Sequence, residues 1–226
     1  MRCRSKTCNE EIYVFFMKKT IVNCLILLGI VCGKRSFGQS LSTEVTGLET
    51  TYSFSGSFST QLRKSSKLSF SNTSRISSDY LSEDGVKMLI NTNLGYSITS
   101  KLKSNIGGKY TNTAGMKPSV GLQYTSTWKK ISWMLFPSYV IGKQPELMTA
   151  SRIQYLRNIS EKIMFVIRMQ SLSMVGSAGH LRSALRFRSG FVRGKYQLGA
   201  ASDVLLSDNN FALTKSFGLF LQYQVF

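Results

Sequence analysis

The residues of this chain best placed to do chemistry are cations. Arg152, Arg168, Arg182, Arg186 and Arg188 are all even-numbered, so in extended strands of one phase they share a face, and Arg193 and Lys195 join them if the next strand reverses phase. From Arg152 onward the acids are Glu161, Asp203 and Asp208, too few to neutralise the row. A wall of guanidinium groups attracts anions, so small anionic solutes are the partners this constellation predicts if the wall lines a passage. Packed instead among Gln154 and Gln170, the same side chains would fill an interior that conducts nothing.

Other chemistry runs out sooner. His180 is the sole histidine, with Ser177 and Ser183 nearby. A serine on its face of a regular strand would sit two residues away, where Arg182 stands beside Leu181, and no third group orients the imidazole, so no catalytic residue is expected. The four cysteines all precede Gln39, which leaves the rest of the chain without a thiolate for a disulfide, a zinc site or a nucleophile. Asp79, Glu83 and Asp84 lack the spacing of an EF-hand loop. No cofactor or metal is expected.

The elements that must position the cations follow from a period of two that begins at Tyr52. Tyr52, Phe54, Phe58 and Leu62 share one face of a strand, and Ser53, Ser55, Ser57 and Ser59 share the other. Similar apolar rows recur along the chain, among them Leu94, Tyr96 and Ile98, then Ile163, Phe165, Ile167 and Met169, then Leu181, Leu185 and Phe187. Eleven such strands run to the end of the chain. Short connections at Arg63 to Lys67, Thr99 to Lys101, Lys129-Lys130, Asn158 to Ser160 and Arg188 to Phe191 alternate with longer ones, such as Gly142 to Met148 and Ser173 to Gly179. That alternation describes an antiparallel barrel with turns at one end and loops at the other.

An even strand count requires one more strand, and residues 39–51 supply it from Leu41, Thr43 and Val45, or else thread the lumen; residues 52–226 form the barrel. The expected fold is thus all-β, an antiparallel transmembrane β-barrel of twelve strands, with ten as the alternative. The Lys129-Lys130 turn sets Trp128 and Trp133 together at an interface, a depth that Trp and Tyr prefer. Two lysines make a poor two-residue hairpin, so a slightly longer turn is expected there. Pro137 cannot donate to a ladder and predicts a bulge.

Ahead of this lies an apolar run from Ile21 to Cys32, behind Lys18-Lys19 and before small residues at Ser36 and Gly38. The pattern is a secretory signal peptide over residues 17–38, cleaved before Gln39, with residues 1–16 a dispensable extension or a misplaced start. The chain carries 29 basic and 11 acidic residues. Removing residues 1–38 leaves 22 basic and nine acidic, a charge of +13. No nucleic-acid partner is expected, because no basic run beyond that point exceeds two residues and no recognition motif accompanies the charge. An anionic membrane surface accounts for it better.

The last strand places Phe217, Leu219, Leu221, Tyr223 and Val225 on one face and ends the sequence in Phe226. It resembles the closing strand of Gram-negative outer-membrane β-barrel proteins, small single-chain barrels among them. The resemblance implies a bacterial outer-membrane location, with outer-membrane lipids and lipopolysaccharide as surroundings. It also implies recognition of this strand by the barrel-assembly machinery, with Tyr223 joining Trp128 and Trp133 as interface aromatics. A porin-like passive transport role, or a structural and surface-binding one, then fits the arginine row. Alternatives are a lipid-modifying outer-membrane hydrolase, since some such barrels carry Ser and His on the wall, and a soluble exported lipocalin-like barrel with its apolar rows turned inward.

Overall fold

The computed structural model describes residues 39–62, 66–80, 86–177, 179–207 and 212–225. The expected extension and signal peptide, the cleavage junction's leader side, Glu83, Asp84, Asp208 and Phe226 lie outside the described residues. Twelve strands follow one another: β1 (Ser40–Leu48), β2 (Thr51–Gln61), β3 (Leu68–Asp79), β4 (Lys87–Ser97), β5 (Leu102–Thr111) and β6 (Gly115–Trp128), then β7 (Ile131–Val140), β8 (Glu146–Asn158), β9 (Met164–Gly176), β10 (Gly179–Arg193), β11 (Tyr196–Ser207) and β12 (Ala212–Gln224). Each pairs antiparallel with its neighbours in sequence. The barrel closes where β1 meets β12, in a ladder from Ser42↔Gln224 to Leu48↔Gly218. Closure leaves no edge strand unpaired, which a sheet in hydrocarbon cannot tolerate.

Residues 39–51 do not thread the lumen. Leu41 and Val45 align with Phe58 and Phe54 of β2, continuing the apolar outer row. Throughout the barrel this row is solvent-accessible in the isolated chain: Phe54, Ile106, Leu122, Leu198 and Leu219 are 46 to 66% exposed. The buried side chains point the other way, and among the described residues thirteen of them are polar or charged against seven apolar ones. A lipocalin-like barrel in water would have the reverse distribution. An apolar exterior around a polar interior suits a hydrocarbon surrounding.

The phase of each strand follows from which residues are buried. Even-numbered residues point inward on β1, β7 to β9, β10 from Arg182 onward and β12, and odd-numbered ones on β2 to β6 and β11. Several local expectations need correction. The turn expected at Arg188 to Phe191 lies instead at Gly194-Lys195, where Gly194 takes a φ of 59°, and β10 runs through to Arg193. Gly190 is no turn residue. It faces Gly199 of β11 so closely that a Cβ on it would meet the Leu198 carbonyl oxygen at 2.2 Å.

The bulge expected at Pro137 is absent. Pairing between β6 and β7 lapses opposite Phe136 and Pro137 and resumes in the same register, Gly121↔Ser138 on one side and Tyr124↔Leu135 on the other. The missing donor interrupts the ladder without inserting a residue. A register shift occurs instead between His180 and Arg182, where β10 meets β9. Lys129-Lys130 is a two-residue turn after all, since Lys129 accepts the left-handed conformation at φ 52°. Trp128 and Trp133 do not stack on each other. Lys129 Nζ lies 5.1 Å from the Trp128 ring, Trp133 packs on Tyr124 at 4.9 Å, and Tyr223 packs on Tyr196 at 5.1 Å.

Candidate functional site

Arg152, Arg168, Arg182, Arg186 and Arg188 all project into the barrel. Asp203, Arg186, Gln170 and Arg152 form one cross-strand row over β11, β10, β9 and β8. One step along, Arg188 stands directly opposite Arg168. Arg182 aligns with Met174 near the loop end, past the bulge, and like Arg152 it is open to water. Arg193 and Lys195 do not join the row. Arg193 aligns with the outward-facing Tyr196, and Lys195 is in the turn. The phase reversal expected before Arg193 is absent because β10 continues through it.

Like charges directly opposed across a ladder repel, so Arg168 and Arg188 need a carboxylate. It comes from β1. Glu44 Oε1 accepts from Arg188 Nε at 3.1 Å, and Glu44 Oε2 pairs with Arg168 Nη2. Arg168 Nη1 also donates to Gln222 Oε1 at 2.6 Å, and Gln222 is the β12 neighbour of Glu44. Beneath both guanidinium groups lies the buried ring of Phe220, 5.9 Å from each, a cation–π floor.

Asp203 extends the network. Its Oδ1 accepts from Arg188 Nη1 at 2.6 Å, and its Oδ2 lies 3.3 Å from Arg75 Nη2 and 3.6 Å from Arg186 Nε. Arg75 arrives from β3, so the contact spans β2, β1 and β12. Arg188 is 1% exposed and Asp203 3%, which makes this a desolvated, nearly saturated cluster.

A second cluster lies at the loop end. Lys109 of β5 and Lys117 of β6 are directly opposed, and Glu146 at the start of β8 bridges them, with Oε2 at 3.1 Å from Lys109 Nζ and Oε1 at 2.6 Å from Lys117 Nζ. Lys109 Nζ also comes within 3.7 Å of Met174 Sδ on β9, so the side chain reaches across the lumen. Counting Lys103 on β5, nine cations and three carboxylates on described strands face inward, besides the Asp79–Lys87 pair at the rim, which leaves the lumen at +6.

Neither Glu44 nor Glu146 was singled out by the arginine row, which directs attention to acids near it in sequence. The available signal was parity. With Leu41, Thr43 and Val45 outward, Glu44 must face inward, and Lys109, Lys117 and Glu146 obey the same rule on their strands. Of the three acids downstream of Arg152, Asp203 enters the cluster and Glu161 lies exposed in a turn.

The bulge at His180 produces one contact that regular spacing forbids. His180 and Ser183 both come to the outer face, with Nε2 and Oγ 2.9 Å apart. Ser183 Oγ in turn donates to Ser173 Oγ at 3.1 Å. The direction of the His180–Ser183 hydrogen bond follows the imidazole tautomer, and the pair sits on the outer face of the sheet, away from the lumen cations.

The chain is similar in structure to the NanC porin, with 9% identity, a TM-score of 0.51, and coverage of 82% of this chain and 99% of that one. It is equally similar to the KdgM porin, at 9% identity and a TM-score of 0.50, covering 81% of this chain and 98% of that one, and to KdgM solved in complex with disordered oligogalacturonate. The fold is that of a small outer-membrane porin. No family model and no curated protein matches the sequence.

Proposed function

We propose that this protein is a passive pore of the bacterial outer membrane that prefers small anionic solutes. The observation that carries the proposal is the lumen charge of +6, with Arg152 and Arg182 still open to water beside the ion-paired cluster. Fixed positive charge in a low-dielectric tube raises the local concentration of anions and lowers that of cations. Turning the sheet inside out would place the guanidinium groups in hydrocarbon, at about 2 to 4 kcal/mol each near the midplane. The KdgM complex with oligogalacturonate makes an acidic sugar the first solute to try. In this reading the role is transport without catalysis, and the Ser183–His180 pair, on the outer face beside the β10 bulge, takes no part in it.

In this reading Trp128, Trp133 and Tyr223 anchor the barrel among outer-membrane lipids and lipopolysaccharide, and β12 is the strand handed to the assembly machinery. Residues 17–38 direct export, and the intact mass of the membrane-inserted protein should begin at Gln39; a mass that retains Ile21 to Cys32 would remove that part of the proposal. The transport claim is tested by swelling of liposomes containing the refolded protein. Galacturonate should enter several-fold faster than galactose, a neutral sugar of similar size, and Arg152→Gln with Arg182→Gln should narrow the difference. Equal entry rates for the two sugars would refute the anion preference.

A further inference from the structure

The lumen repeats one device at two places: a directly opposed pair of like cations, Arg168↔Arg188 and Lys109↔Lys117, each bridged by the two oxygens of a glutamate from a distant strand. A carboxylate so held is a carboxylate bound. At Arg168 and Arg188 the holder is complete without Glu44: two guanidinium forks, an aromatic floor from Phe220 and a positioning amide from Gln222. Arg168 Nε is buried and has no hydrogen-bond acceptor among the described residues, so the site has a donor in reserve.

We propose that these two cation pairs are carboxylate-binding stations of the pore, and that Glu44 and Glu146 are internal stand-ins which a carboxylate-bearing solute displaces as it passes. The inference rests on the anion-preferring reading above. Self-occupation keeps opposed cations neutralised when no solute is present. It also makes solute binding an exchange of one carboxylate for another, so binding stays weak enough for release, as conduction demands. The planar fork of arginine suits a carboxylate better than it suits chloride, which makes the middle station the more selective of the two. Glu44 and Glu146 are therefore specificity-determining residues that tune affinity by competing with the solute.

The experiment measures block of chloride current through the refolded protein by trigalacturonate. Glu44→Gln should lower the half-blocking concentration about tenfold and Glu146→Gln about threefold, because each removes a tethered competitor. Arg168→Gln should raise it. Asp79→Asn adds the same unit of charge at the rim, where Asp79 pairs with Lys87, and should leave block within about twofold, separating local competition from net charge. Glu44→Gln or Glu146→Gln channels that conduct but show unchanged or weaker block would overturn the proposal. If Glu44→Gln does not fold, Glu146→Gln at the mouth carries the same prediction. Absence of current in every variant would defeat the pore reading itself, and calorimetric titration of trigalacturonate into the folded proteins would then decide the stations separately: tighter binding in the glutamine variants supports them, and no binding or unchanged binding overturns them.

Discussion

The middle and the mouth of the lumen solve the same electrostatic problem with different side chains. In the middle, Arg168 and Arg188 face each other and Glu44 bridges them; at the mouth, Lys109 and Lys117 do so under Glu146. The middle pair is embedded in a network. Asp203 ties Arg188 to Arg75 and Arg186, while Gln222 and Phe220 hold Arg168 from below. The mouth pair rests on one carboxylate and a thioether contact. Arginine's five donors in a rigid fork can serve several acceptors at once, whereas a lysine ammonium is a compact charge on a flexible stem. The Asp203 side of the middle cluster, shared by three arginines, should therefore be rigid and costly to break, and the mouth cluster adjustable.

The largest expected effect is therefore at Asp203. Asp203→Asn leaves Arg75, Arg186 and Arg188 sharing no carboxylate but Glu44, and should cost about 3 to 5 kcal/mol, the range for breaking a buried charge pair. Urea unfolding of the folded barrel, followed by heat-modifiable gel migration, measures it. A smaller loss, about 1.5 kcal/mol, is expected for Glu146→Gln in the same assay, because the freed lysines can swing toward water at the loop end. Equal losses at the two positions would break the comparison.

The barrel was legible in the sequence because alternation marks nearly every strand and a one-residue slip would turn each apolar row into the lumen. The strand count, the polar interior and the Trp128↔Ile131 register can all be read in this way. What failed to read were local irregularities. Arg188 and Ser189 look like a turn because they interrupt an apolar run, yet Arg188 is lumen-facing and Gly190 serves close strand approach. The bulge beside His180 leaves no compositional mark, and it alone lets Ser183 reach the imidazole.

The arginine row was visible in the sequence, whereas its neutralisation was not. Glu44 is 124 residues from Arg168 and 144 from Arg188, and only closure of β1 on β12 brings it within reach. Arg75 and Asp203 are likewise 128 residues apart. Local spacing can assign a side chain to a face, but the partner across a lumen depends on which strands close the ring.

An anion-preferring pore requires a field of positive sign inside the barrel. The reversal potential of the refolded protein in a planar bilayer, held between dilute and concentrated potassium chloride, measures that sign. Nine inward cations against three carboxylates on the described strands, the Asp79–Lys87 rim pair aside, predict a potential displaced toward the chloride equilibrium value, and less displaced in high salt as screening grows. A potential at or on the potassium side of zero would contradict the charged lumen described here.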